Sequence, residues 1–161
     1  MRGGIWPDAG VELIRELRAH RGRLCLLERA AGSCSVMAAF ASLLDCEPCG
    51  VGLMLTEDSP PQSPGAVRDQ LVGHRLLVDL DVLFWHSRLE LDPLALIRDL
   101  SRRNPPVIVE WPGRLSDGRA TYSQVSRPDH FEGVLEDALV LRPCVVVFPD
   151  EIPYKLERWQ R

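Results

Sequence analysis

The feature of this sequence that most restricts its fold is the alternation of short apolar runs with segments of helical periodicity. Apolar runs of four to six residues are typical of strands that are buried on both faces, as in a parallel sheet. We predict such strands at 23–27, 51–55, 75–80, 107–111 and 145–148. Parallel strands need a crossover connection, which is usually a helix. The sequence therefore predicts a three-layer α/β domain with a mainly parallel sheet covered on both faces.

Four segments between these runs have the apolar spacing of helices, at about 8–21, 34–44, 66–72 and 93–103. The last of them has the clearest boundaries. Asp92 is suited to the N-cap, Pro93 to the first helical position, and Arg102 and Arg103 to the negative end of the helix. Asn104 and a following proline should end it.

The remaining segments are predicted from turn chemistry. Asp117-Gly118 lies between two short segments and favours a small β-hairpin inserted into the domain. Residues 56–65 contain three prolines and no apolar side chain, which predicts an exposed loop. No internal repeat or second domain is evident. We therefore predict one domain over 1–161, with a core at about 23–148 and a C-terminal tail at about 149–161.

Composition narrows the functional classes. The chain has 45% hydrophobic and 26% charged residues, as in soluble globular proteins, and no apolar run long enough to span a membrane. Its first residues lack the apolar segment of a signal peptide, so we expect a cytoplasmic protein. The net charge of -4 argues against nucleic-acid binding by the isolated chain, because phosphate neutralisation needs a surplus of basic residues.

The turn after the first predicted strand occupies the place of a nucleotide-binding phosphate loop. Such a loop reads G-x-x-x-x-G-K-[S/T]: its backbone amides and lysine bind phosphate, and its hydroxyl binds magnesium. Here Glu28 and Ser33 replace the glycines, Cys34 replaces the lysine, and only Ser35 fits. The start of the following helix would still favour an anion, which makes Gly32 to Ser35 a candidate site. An ordinary strand-to-helix turn without a ligand is the alternative.

The apolar run 75–80 is closed by two aspartates, Asp79 near its end and Asp81 directly after it, and this pattern has the form of a Walker B strand. In such a strand a carboxylate at the carboxyl end holds magnesium through water. Asp79 and Asp81 are the candidates here, about 45 residues after the loop, which leaves room for one intervening βα unit. Ligands of parallel sheets bind at this edge, so the sequence predicts that both aspartates share a site with the loop.

Cys46 and Cys49 form a C-x-x-C pair with little support for a special role. A zinc site needs four ligands, and no second close pair exists. A redox pair would open a helix after a strand, whereas this pair precedes a predicted strand. Ordinary reduced thiols in a turn are the favoured interpretation, and the four histidines show no ligand spacing.

A series of short sequence motifs resembles a known family. The motifs follow one another at similar spacing: Leu91-Asp92-Pro93-Leu94, Leu100-Ser101-Arg102, Trp111-Pro112-Gly113, Asp117-Gly118-Arg119, Thr121-Tyr122 and Pro128-Asp129-His130-Phe131. With Asp79, Asp81 and the pair Leu83-Phe84, they resemble the small P-loop protein (BrxF) of BREX, or bacteriophage exclusion, systems. The resemblance covers roughly 23–131. It implies a P-loop NTPase-like fold and a component of phage defence.

The resemblance breaks at the phosphate loop, where the family has glycine and lysine and this chain has Glu28, Ser33 and Cys34. Loss of the lysine removes a charge that stabilises phosphoryl transfer. The implied role is a non-catalytic assembly or regulatory subunit that requires no cofactor. It would bind other defence subunits, with homo-oligomerisation left open, through the Arg102/Arg103 helix end, the hairpin and a rim residue, Trp111. The alternative is a divergent NTPase that uses ATP and magnesium, with Ser35, Asp79 and an arginine such as Arg29.

Overall fold

The structure, a computed structural model, describes residues 5–56, 61, 63–85, 90–145 and 151–160. Within them the helices are α1 (Asp8–Ala19), α2 (Ser33–Leu44), α3 (Val51–Thr56), α4 (Pro64–Leu71), α5 (Val82–Trp85) and α6 (Pro93–Arg103). The strands are β1 (Leu24–Glu28), β2 (Cys49–Gly50), β3 (Leu76–Val78), β4 (Ile108–Trp111), β5 (Arg114–Ser116), β6 (Arg119–Tyr122), β7 (Phe131–Val134), β8 (Ala138–Pro143) and β9 (Tyr154–Trp159).

Six of these strands form one sheet in the order β2-β3-β4-β1-β8-β9. All neighbours are parallel except β9, which runs antiparallel to β8 at the edge. The central strand β1 is therefore flanked by β4 and β8, with Leu26 opposite both Val109 and Val140. The predicted α/β class and mainly parallel sheet are confirmed.

Side chains that alternate along the strands fill a separate apolar core on each face of this sheet. Leu26 and Val109 belong to the core under α3, α4 and α6. Leu27 and Ile108, the adjacent residues, belong to the core under α1 and α2. The alternation follows from the two-residue repeat of a strand. Burial on both faces explains why the strand sequences read as continuous apolar runs.

The predicted hairpin forms, and a third strand extends it. Strands β5 and β6 pair antiparallel around Asp117 and Gly118, and β7 adds to β6, which gives a small second sheet. The indole of Trp111 is fully buried and donates a hydrogen bond to the carbonyl of Thr121. This contact joins the end of β4 to the small sheet. Trp111 is thus not a rim residue, and the prediction that it faces a partner is wrong.

The strand predicted at 51–55 is also wrong, because these residues form helix α3. Val51 and Leu55 are buried four residues apart, whereas Leu53 between them is 69% exposed. A strand would place all three on one face, so the burial follows the helical repeat. The sheet instead gains the two-residue strand β2 immediately before the helix.

The C-terminal part of the sheet differs from the prediction. Val145 lies outside any strand and is 77% exposed, and the rest of the predicted strand 145–148 lies outside the described residues. The last parallel strand is instead β8, and the segment predicted as a tail contains the edge strand β9. Half of the predicted loop at 56–65 lies outside the described residues, whereas Thr56 ends α3 and Pro64 and Gly65 begin α4.

The boundaries of α6 are as predicted. The carboxylate of Asp92 accepts hydrogen bonds from the amides of Leu94 and Ala95, at 2.9 and 3.1 Å. The helix ends after Arg103, one residue before Asn104. Among the described residues, no helix has the length and apolar content needed to cross a membrane.

Candidate functional site

The turn between β1 and α2 is short and is closed by its own backbone. It consists of residues 29–32, because β1 ends at Glu28 and α2 begins at Ser33. The amide of Ser33 donates to the carbonyl of Ala30 at 3.1 Å. Gly32 has φ of 91°, a left-handed conformation that favours glycine. This turn therefore uses the amide of Ser33 internally, whereas a phosphate loop turns its amides toward the ligand.

The side chains of the candidate loop residues point to different environments. Ser33 is buried, and Ser35 is exposed and does not contribute to the cavity described below. Cys34 is exposed and lines that cavity. Glu28, in the place of the first loop glycine, forms an ion pair with Arg142 of β8 at 3.1 Å. Of the predicted set Gly32 to Ser35, only Cys34 faces the cavity.

The two candidate aspartates follow β3 but have different roles. Asp79 has a left-handed backbone, is exposed, and its carbonyl accepts a hydrogen bond from the Gly52 amide at 3.1 Å. Its side chain lines the same cavity as Cys34. Asp81 is engaged by the guanidinium of Arg29 at 2.9 Å and by the hydroxyl of Tyr122 at 3.1 Å. The structure thus places Asp79 and Cys34 on the same cavity, whereas Asp81 forms an ion pair with Arg29.

Arg29 is the central residue of this edge of the sheet. Its guanidinium donates to Asp81 at 2.9 Å and to Glu110 at 3.2 Å. Burial acts to lower the pKa of Arg29, but the hydrogen bonds and charges of these two carboxylates raise it above its ordinary value. The side chain therefore stays charged, and its charge is already compensated by two anions.

Sequence reasoning missed Glu110. It is the only charged residue of β4, is 8% exposed, and lies on the α1/α2 face of the sheet between two residues of the opposite core. A buried carboxylate needs a partner, and Arg29 supplies it. The signal was a single glutamate inside an otherwise apolar run, which indicates a buried ion pair or a site at the strand end.

A cavity of about 880 Å³ opens beside these residues, along α2 and the carboxyl ends of β1, β3 and β4. Its lining combines charged groups with an apolar wall. The charged residues are Arg29, Asp45, Glu47, Asp79 and Glu110. The wall is formed by residues such as Met37, Ala38, Ala41, Pro48 and Val78. Four carboxylates therefore face one guanidinium, and that guanidinium is already paired.

The lining of the cavity carries an excess of negative charge. Phosphates need unpaired cations or free amides, but the nearest guanidinium is paired twice and the surrounding carboxylates repel anions. No described His, Cys, Asp or Glu side chains come together in a group of three that could hold a metal ion. Of the two aspartates predicted to bind magnesium, Asp79 lines the cavity and Asp81 is paired with Arg29.

The C-x-x-C pair has the environment of ordinary thiols. Cys49 is in β2, and its thiol contacts the sulfur of Met54 at 3.7 Å. Burial raises the pKa of both Cys46 and Cys49 above the ordinary thiol value. Reactive cysteines have a lowered pKa, so these thiols lack the activation that redox chemistry requires.

Comparisons with known proteins returned no match to a protein-family model, a curated protein or a solved structure.

Proposed function

We propose that this chain is a non-catalytic subunit of an antiphage defence system, with a P-loop-like domain that binds other proteins and does not hydrolyse nucleotide. The defence context comes from the BREX-like series of motifs between Leu91 and Phe131. We place the protein in the cytoplasm, where such a system meets phage DNA. The non-catalytic role comes from the site.

The observation that carries this proposal is the double ion pair of Arg29 with Asp81 and Glu110. Arg29 is the basic residue of the loop and the candidate named above to replace the missing lysine. To reach a phosphate it would have to leave two carboxylates, one of which is buried. Moving Arg29 away would leave the Glu110 carboxylate without this partner, which is unfavourable because Glu110 is only 8% exposed, whereas Arg29 and Asp81 are partly solvated.

Several residues of the BREX-like series have structural roles. This supports the proposal that the chain keeps a P-loop-like fold and lacks nucleotide hydrolysis. The indole of Trp111 bonds to the Thr121 carbonyl, and the backbone of Gly113 packs on the same carbonyl so closely that a Cβ has no room. Tyr122 stacks on Phe84 with ring centroids 4.0 Å apart and bonds to Asp81. These residues hold the small sheet against the carboxyl ends of strands β3 and β4 of the main sheet.

A divergent NTPase is the second candidate. It is favoured by one observation, that Asp79 and Cys34 line one cavity at the edge where nucleotides bind. In that case magnesium would have to offset the carboxylates of the cavity.

Nucleotide assays separate the two candidates. The full chain would be mixed with ATP, ADP or GTP at millimolar concentration, with and without magnesium, and its melting temperature and phosphate release measured. We expect no stabilisation and no turnover. Steady hydrolysis that Asp79→Asn abolishes, while Asp69→Asn on the opposite helical layer does not, would contradict the proposal.

The second half of the proposal concerns assembly. Co-expression with the other proteins of the same defence locus should give a stable complex in size-exclusion chromatography. In phage infection assays, loss of this chain should abolish protection, whereas Asp69→Asn, on the opposite helical layer, should retain it. Protection that requires the chain but persists without any complex would exclude an assembly role.

A further inference from the structure

Helix α2 has an unusual composition for a helix with an open flank. Its sequence, Ser33 to Leu44, contains no charged residue. The positions that are exposed to solvent are small or weakly polar, namely Cys34, Ser35, Ala38 and Ser42. Helices that face water normally carry charged residues on that side. Depletion of charge is instead typical of the centre of a protein interface.

The cavity follows this uncharged flank along the length of the helix. Its lining begins at Cys34, in the first turn of α2, and reaches Asp45 and Cys46 beyond the last turn. A helix of this length spans about 18 Å, at 1.5 Å per residue. Val78 of β3 and Pro48 before β2 also line the cavity. An extended groove of this kind matches a polypeptide segment better than a compact small molecule.

The charges of the groove define what such a segment must carry. Asp45 and Glu47 are exposed at one end, and Asp79 is exposed near the other. Only Arg29 is basic, and it is compensated by Asp81 and Glu110. A segment with arginine or lysine beside apolar side chains would complement both the carboxylates and the apolar wall.

We propose that the groove between α2 and β3 is a docking site for a partner polypeptide segment that is apolar and basic. The inference rests on the proposed role as a partner-binding subunit and names the chemistry of the partner. Its apolar side chains contact Ala38 and Ala41, and its basic side chains bind the carboxylates of Glu47 and Asp79.

A peptide-binding experiment tests this docking site. The probes are fluorescent twelve-residue peptides of leucine, alanine and arginine in which the arginine spacing varies, with a matched set that carries neutral citrulline in place of arginine. We expect at least one arginine peptide to bind the full chain about tenfold more tightly than its citrulline match, with affinity that falls as salt rises. Equal affinities, or no binding by any arginine peptide, would overturn the proposal.

Three variants locate the binding. Ala38→Arg fills the groove with bulk and positive charge and should abolish binding, and Glu47→Gln with Asp79→Asn should weaken it about tenfold. Asp69→Asn, on the other face of the sheet, is the matched control and should bind like wild type. If the groove variants bind like wild type, the peptide sits elsewhere and the proposal is wrong.

Two further outcomes distinguish this inference from the proposed function. Sedimentation that shows a dimer dissociated by Ala38→Arg would make a second copy the occupant and overturn the inference, but would leave the non-catalytic role intact. Nucleotide turnover would contradict the proposed function, whereas peptide binding in the groove would still stand as measured.

Discussion

Helices α2 and α6 lie on opposite faces of the same sheet and differ in the number of charged residues that they carry. Helix α6 carries four charged residues, Arg98, Asp99, Arg102 and Arg103, and an ion pair between Asp99 and Arg103 at 2.9 Å. Helix α2 carries none. Both bury an apolar side, with Ile97 and Phe40 fully inaccessible. The difference teaches that α6 has the charged surface of a solvated helix, whereas the exposed flank of α2 is uncharged, which is the basis of the docking site proposed above.

The inner side of α2 should account for the largest effect on stability. Phe40 is buried and packs against the rings of Trp6 and Tyr154, with centroids 5.3 and 5.7 Å apart. Phe40→Ala should lower the free energy of unfolding by about 3–5 kcal/mol, because it leaves a cavity in this core. Urea denaturation measures the loss. Ile97→Ala on α6 is the matched variant, and a loss for Phe40→Ala below about 1 kcal/mol would show that α2 is only loosely anchored.

The two helices also begin differently, and their first turns can be compared directly. Asp92 caps α6 with its side chain, so Asp92→Ala should cost about 1 kcal/mol. Helix α2 begins after Gly32 at φ of 91°, where a Cβ would also lie 3.2 Å from the Cys144 carbonyl. Gly32→Ala should therefore cost about 1–3 kcal/mol, more than the cap of α6. Thermal or urea unfolding of both variants checks the order, and the reverse order would contradict the strained turn.

A further cluster of ion pairs on the α2 face of the sheet is centred on Glu16 of the neighbouring helix α1. Glu16 accepts hydrogen bonds from Arg158 at 3.0 Å and from Arg23 at 2.8 Å. The hydrogen bond from Arg158 is the main cause that lowers the pKa of Glu16 below its ordinary value of 4.5, with the positive charges of Arg158 and Arg23 acting in the same direction against burial. A carboxylate with a lowered pKa contributes stability above its unfolded pKa, and this contribution is lost as pH falls through the folded pKa.

Glu16→Gln should accordingly reduce stability at neutral pH, and its difference from wild type should shrink as pH falls below about 4.5 toward the lowered pKa. Urea midpoints between pH 3 and pH 7 measure this. The control is Glu12→Gln, an exposed glutamate on the same helix. A pH-dependent difference of the same size for Glu12→Gln would remove the ion pair as its cause.

The smallest effect on stability is expected on the outer flank of α2. Ala38 is exposed, and arginine is a good helix former, so Ala38→Arg should change the free energy of unfolding by less than about 0.5 kcal/mol. The same substitution is expected to abolish peptide binding in the groove. A large loss of stability would mean that Ala38 is packed in the isolated chain, which would break the contrast between α2 and α6.

Much of the fold follows from local patterns. The apolar run around Leu26, the capping residue Asp92 and the turn pair Asp117-Gly118 each specify an element through short-range physics, and each forms as predicted. Residues 51–55 were misassigned because a run of mixed apolar residues and glycine is compatible with both repeats. Only packing decides between them, and here the amide of Gly52 donates a hydrogen bond to the Asp79 carbonyl at the point where the chain enters α3.

For the candidate site, too, some features follow from the sequence and others only from the tertiary structure. The sequence by itself determined that Cys34 stands where a phosphate loop would have its lysine and that acidic residues follow β3, because these are identities at fixed positions. The tertiary structure decided that Arg29 is held by Asp81 and Glu110, since these residues come from three different strand ends that the sheet order brings together. It also decided that the uncharged flank of α2 borders an acidic groove. Sequence spacing cannot give this result, because which side chains share a cavity depends on long-range strand pairing.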